Sequence, residues 1–95
     1  MTEDELLTAI LDAAMWRQWR THHIRRSDRA IQQGHAGFPD IIAVRGARLV
    51  VAELKSARGR VEEAQTAWLD TFRRTGAECF VWRPADLDDA LEVLR

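Results

Sequence analysis

Little in this chain could cross-link it, thread it through a bilayer or tie it to a surface by charge alone. A single cysteine, Cys79, stands among 95 residues, which excludes an internal disulfide framework and suits a reducing compartment. It falls within an apolar stretch and reads as a buried space-filler. No run approaches the roughly 20 apolar residues that span a bilayer, so no membrane partner is expected. The opening Met1-Thr2-Glu3-Asp4-Glu5 is acidic and lacks the basic region of a secretory signal, so a cytoplasmic location is expected. Repeats and low-complexity segments are absent. With 14 basic against 15 acidic residues and a net charge of −1, bulk electrostatics cannot be what grips a polyanion. The length leaves room for one core, and a single domain over 1–95 is expected.

The charge that is present is unevenly placed. Arg17, Arg20, Arg25, Arg26 and Arg29, with His22, His23 and His35, face one acid, Asp28, while acids gather in 3–12 and 86–92. One side of a neutral protein could thus be basic. The plainer alternative for such a run is a solvated loop.

Thr2 and Glu5 form a capping box that opens a helix through about Trp16, with Leu6, Leu7, Ile10, Ala13 and Ala14 as its inward stripe. In helical phase Glu3 falls at the centre of that stripe and Glu5 faces away. Glu3 has a bland alternative as a dipole-favoured acid at a fraying end. Residues 19–24 read as a first strand, and 25–36 as a long basic loop. His22 and His23 are adjacent, so their side chains diverge, and they lack the spacing of zinc ligands. One of them could line a catalytic edge, though a surface role is plainer.

Two nearly unbroken apolar runs follow, 37–44 and 49–55, joined by Arg45-Gly46-Ala47-Arg48; they read as a β-hairpin of strands covered on both faces. Ser56 to Arg60 makes a basic turn into a helix over about 61–75, ended by Gly76, with Gln65 on the inward face beside Trp68, Leu69 and Phe72. A strand over 77–82 returns parallel through that helix. Asp86 is placed to cap a last helix with the stripe Leu87, Ala90, Leu91 and Leu94. The reading is an α/β (α+β) fold, order α-β-β-β-α-β-α, a small mixed sheet flanked by helices.

The hairpin carries the anomaly. Asp40 begins its first strand, and Glu53 and Lys55 end its second, so two acids and a lysine meet at one end of an apolar sheet. Glu53 and Lys55 share a face; Leu54 points into the core. Neighbouring carboxylates repel, and buried charge is costly without a partner. A lysine salt bridge would relieve this, and so would Mg²⁺ or Mn²⁺, which take carboxylate oxygens, water and phosphate.

Gly37-Phe38-Pro39-Asp40, then Glu53-Leu54-Lys55, then Gly59-Arg60 with Gln65 resembles the PD-(D/E)xK nuclease superfamily with its restriction-endonuclease-like core. Within it, the chain looks like the small stand-alone VRR-NUC domains of phage and bacterial genomes. The resemblance runs from the first helix to about Pro84. It implies that Asp40 and Glu53 hold a metal with the main-chain carbonyl of Leu54, that a glutamate of the first helix completes the site, and that Lys55 assists the attacking water or the phosphate. Phase picks Glu3 for that glutamate, with Glu5 as runner-up. Gln65 would align Lys55 or the water.

The function expected is therefore Mg²⁺- or Mn²⁺-dependent hydrolysis of DNA phosphodiester bonds by a homodimer, selective for flaps or four-way junctions. Asp40, Glu53, Lys55 and Gln65 would be the catalytic set, with Arg25, Arg26, Arg29, Arg58 and Arg60 on the DNA backbone. Exposed residues among Trp16, Trp19, Trp68 and Trp82 could form the dimer contact. Two rivals stand beside it: a non-catalytic nucleic-acid-binding or assembly subunit of the same fold, and a metal-free ribonuclease using His22 or His23 with Lys55.

Overall fold

The computed structural model describes residues 1–24 and 33–95. Among them the elements run α1 (Glu3–Trp16), β1 (Arg20–His23), β2 (Ile41–Arg45), β3 (Arg48–Leu54), α2 (Glu63–Arg73), β4 (Glu78–Trp82), a 3₁₀ turn at Pro84–Asp86 and α3 (Leu87–Val93). That is the order expected from the sequence, an α/β fold around a mixed sheet.

The described strands form one sheet in the order β1-β2-β3-β4. β1, β2 and β3 pair antiparallel; β4 returns through α2 and pairs parallel to β3. Side chains of β3 alternate between faces. Val50, Ala52 and Leu54 join the core with Leu6, Ile10 and Ala14 of α1 and Ala90 of α3, along with Leu94. Glu53 faces the other way, toward α2, whose Gln65 reaches it.

Several boundaries differ from expectation, each for a local reason. The hairpin turn is only Gly46-Ala47, because Arg45 and Arg48 are themselves paired. β3 is covered on both faces, but β2 is not: Ile42 is half-buried and Val44 exposed. α2 packs over β3 and β4, leaving β2 less sheltered. The stretch 37–40 is no strand: Gly37 has φ +92° and Pro39 offers no amide for a ladder. Asp86 does not cap α3 through its side chain; its carboxylate accepts the Arg83 amide at 2.8 Å. Leu91 is exposed rather than part of the α3 stripe.

Helix α1 begins in the expected box: the Thr2 hydroxyl accepts the Glu5 amide, and the Glu5 carboxylate accepts the Thr2 amide. Those bonds hold the Glu5 carboxyl below its ordinary range. The helix ends in a turn with Gln18 at φ 64°, where Trp19 N–H bonds Ala14 O and Gln18 N–H bonds Met15 O. The turn seats Trp19 in the core, and its indole donates to Leu94 O at 2.8 Å.

Candidate metal and nucleic-acid site

At the open end of the β2–β3 pair, away from the hairpin turn, the strands separate. Continuing their register past Ile41–Ala52 sets Pro39 opposite Leu54. Proline can give that position no ladder partner beyond its carbonyl. The Asp40 carboxylate takes over: its Oδ2 accepts the Leu54 amide at 2.8 Å. On the other side the Lys55 amide donates to Trp82 O of β4. Asp40 is thereby fixed at the rim, 9% exposed, and its own carbonyl meets His23 Nδ1 at 3.0 Å.

What brings residues 37–40 there is a close approach to α2. A Cβ on Gly37 would stand 2.5 Å from the Ala64 carbonyl carbon and 2.8 Å from the Gln65 amide nitrogen, and its φ is left-handed. Only glycine fits both demands. Phe38 then lies edge-on to Trp68, 5.0 Å between ring centres, and Trp68 donates its indole N–H to His35 O.

Around Asp40 opens a cleft of about 540 Å³, bordered by Glu3, Asp4, Leu7 and Thr8 of α1, His23 at the end of β1 with Ile24 after it, and Leu54. Glu3 is exposed there rather than buried on the helix stripe, because it sits in the first turn, beyond the edge of the core. Glu5 is outside the cleft and engaged in the helix cap.

Glu53, Lys55 and Gln65 form a second group. The Glu53 carboxylate is 0% exposed; Gln65 Nε2 donates to its Oε1 at 2.9 Å, and Lys55 Nζ lies 3.8 Å from the same oxygen. Gln65 Oε1 accepts the Glu62 amide, so one side-chain amide ties the start of α2 to β3. Gln65 therefore orients Glu53, where the sequence suggested Lys55 or water as its partner. Glu53 is not among the residues bordering the cleft.

The basic turn lies alongside. Arg58 and Arg60 are exposed on it, ahead of α2 rather than in its first turn, since the Glu62–Gln65 bond delays the helix to Glu63. Arg83, which sequence reasoning passed over, holds this turn through Ser56 O and Gly59 O. The signal was available: parallel register Leu54–Trp82 puts Arg83 level with Lys55. Arg25, Arg26 and Arg29 lie outside the described residues. Of the tryptophans, Trp19 and Trp82 are buried, Trp68 is half-buried and Trp16 is 85% exposed. His22 is exposed, and no hydrogen bond links it or His23 to Lys55 among the described contacts.

Could these residues hold a cation? Among the described residues no three His, Cys, Asp or Glu side chains form a ready cage. Mg²⁺ does not require one, being bound by one or two carboxylates completed by water and substrate phosphate. Hard carboxylate oxygens of Glu3, Asp4 and Asp40 border one cleft. The donor set suits Mg²⁺ or Mn²⁺ and lacks the thiolates that softer metals prefer.

The VRR-NUC domain family matches this chain over residues 2–86. Among solved structures, a VRR_NUC domain protein superposes with a TM-score of 0.70 at 21% identity, covering 99% of this chain and 85% of that one. The Holliday junction resolvase Hjc of Archaeoglobus fulgidus gives 0.49 at 21% identity, covering 85% of this chain and 66% of its own. Likeness at such identities speaks to the fold. No curated protein matches. No helix among the described residues is long and apolar enough to cross a membrane. With 2–86 accounted for by one domain type and the fold agreeing, the chain belongs to the VRR-NUC domain family, a nuclease fold.

Proposed function

We propose that this protein is a divalent-metal-dependent DNA endonuclease acting on flaps or four-way junctions. The observation that carries the reading is the rim itself. Asp40 is locked to the Leu54 amide beside an acid-lined cleft, and Glu53 and Lys55, the residues flanking Leu54, meet Gln65 of α2 next to it. Asp40, Glu53 and Glu3, with the Leu54 carbonyl, would hold Mg²⁺ or Mn²⁺. An ion held by these residues would supply a water of lowered pKa and offset charge on the phosphate.

The chain's own groups would do the rest. Lys55 carries a positive charge at the rim for the phosphate oxygens, and Gln65 keeps Glu53 in one rotamer. Arg58 and Arg60 would take flanking phosphates, which position the backbone without reading bases. Paired incision of a junction needs two sites, and a symmetric dimer provides them. Trp16, exposed next to exposed Met15, is the apolar surface that such a dimer could cover.

The test is incubation of the purified protein with single-stranded, duplex, flap and four-way DNA, in Mg²⁺, Mn²⁺ and excess chelator. Cleavage of branched substrates only with metal supports the reading. Cleavage in chelator, or none under any condition, overturns it. One observation favours a second reading, a nucleic-acid-binding subunit without catalysis: Glu53 is sealed from solvent and already contacts Lys55 and Gln65. Tight binding of branched DNA with no cleavage in either metal would select it.

A further inference from the structure

The turn Ser56–Arg60 leaves β3 directly after Lys55 and carries two exposed arginines. A five-residue surface turn with such side chains would ordinarily wander, and a wandering arginine loses ordering entropy each time it meets a phosphate. This turn is fixed from below. Arg83 Nη1 donates to Ser56 O at 2.8 Å and to Gly59 O at 2.7 Å, so one guanidinium nitrogen bridges both ends of the turn. The turn closes on itself through Gly59 N–H to Ser56 O at 3.3 Å. Arg83 is itself held: its amide donates to Asp86 Oδ2 at 2.8 Å, and Trp82 before it is buried and takes the Lys55 amide. The Lys55 side chain lies beside the turn: a Cβ on Gly59 would stand 3.5 Å from its Cδ.

We infer that Arg83 is a positioning residue: it holds the Ser56–Arg60 turn so that Arg58 and Arg60 meet the nucleic-acid backbone at a fixed offset from Lys55. The inference rests on the nucleic-acid reading above. Its ligand class is a polyanionic phosphate backbone, contacted without base specificity. Charge-assisted bonds to carbonyls leave Arg83 a strut, and the phosphate contacts belong to its two neighbours.

A double-mutant cycle tests it. Binding of a fluorescent flap duplex is followed by anisotropy in excess chelator across a salt series, for wild type, Arg83→Met, the pair Arg58→Ala/Arg60→Ala, and all three together. Arg83→Met should weaken binding about five- to tenfold and flatten the salt slope, since each phosphate contact contributes nearly one unit. In the Arg58→Ala/Arg60→Ala background the same change should do almost nothing, because the strut then has nothing to position. A turnover assay should show KM rising more than kcat falls. Losses that simply multiply would make Arg83 a direct contact and overturn the inference; so would undiminished binding by Arg83→Met. If Arg83→Met gives no cooperative melt, Arg83→Lys replaces it, with the same sign and a smaller effect expected. Failure of the wild type to bind DNA would sink the nucleic-acid reading and this inference together, whereas binding with a multiplicative cycle sinks this inference alone.

Discussion

The two ends of the β2–β3 pair use charged residues in opposite ways. At the hairpin end, Arg45 and Arg48 both lie over the Trp19 ring, 4.5 and 4.9 Å from its centre. Arg45 donates to Arg17 O and Arg95 O; Arg48 pairs with Glu78 through two bonds and reaches Val93 O. Each of these groups is half-exposed, satisfied and turned toward the protein's own backbone, fastening α1 and α3 to the sheet. At the open end the polar groups are more deeply buried and contact one another across a short stretch of β3, next to a cleft. Charge at the first end serves docking, and at the second it is gathered beside a cleft. Buried charge is retained at a cost, so its location marks a site more reliably than its amount.

The comparison predicts a double dissociation. Substitutions at the open end that preserve shape, Asp40→Asn and Glu53→Gln, should each lower metal-dependent cleavage by at least about 10²-fold. Their melting temperatures should move little, because the Leu54 and Gln65 bonds can still form. Steady-state kinetics and thermal melts on the same preparations check both halves. Equal loss of stability and activity would erase the distinction.

Gly37→Ala comes next, at the join between motif and helix. A new Cβ would meet the α2 backbone at 2.5 Å with φ at +92°, so a cost of roughly 2–4 kcal/mol is expected. Denaturant unfolding reads it, and an unchanged midpoint would show that the segment is not pressed against α2. At the hairpin end, Arg48→Met should cost about 1 kcal/mol, or about 4–8 °C in a melt, with specific activity kept. The loss should depend on pH. Bonds from Arg48 hold the Glu78 carboxyl below its ordinary 4.5. The pair's stabilisation is therefore present above that value and fades as pH falls through the lowered one. The gap between wild type and variant should be full at neutral pH and close in strong acid. Gln18→Gly, the mildest, should raise stability by about 0.5–1 kcal/mol by relieving a left-handed non-glycine. A lower melting temperature would show that the Gln18 side chain matters more than its backbone.

Much of this was legible in the sequence because the relevant signals are local. Thr2 with Glu5 announced the first helix, Gly76 ended the second, and Gly46 between apolar runs marked the hairpin. Antiparallel pairing of the hairpin put Asp40 at the same end as Glu53 and Lys55, and strand alternation put those last two on one face. What escaped depends on contacts between distant segments. Arg83 becomes visible only once β4 is placed parallel to β3. The role of Gly37 requires α2 to lie against it, and the partner of Gln65 follows from which face of β3 turns toward that helix. The placement of Glu3 was only half readable, since helical phase gives direction but not how far the core extends beneath the first turn.

The central claim is that the acids at the open end of the sheet jointly hold a divalent cation for a nucleic-acid backbone. Mn²⁺ titration followed by electron paramagnetic resonance, on wild type, Asp40→Asn and Glu53→Gln, tests it without any need for turnover. The account predicts one site in the wild type, weakened at least about tenfold by either substitution. Equal Mn²⁺ affinity in all three proteins would contradict it.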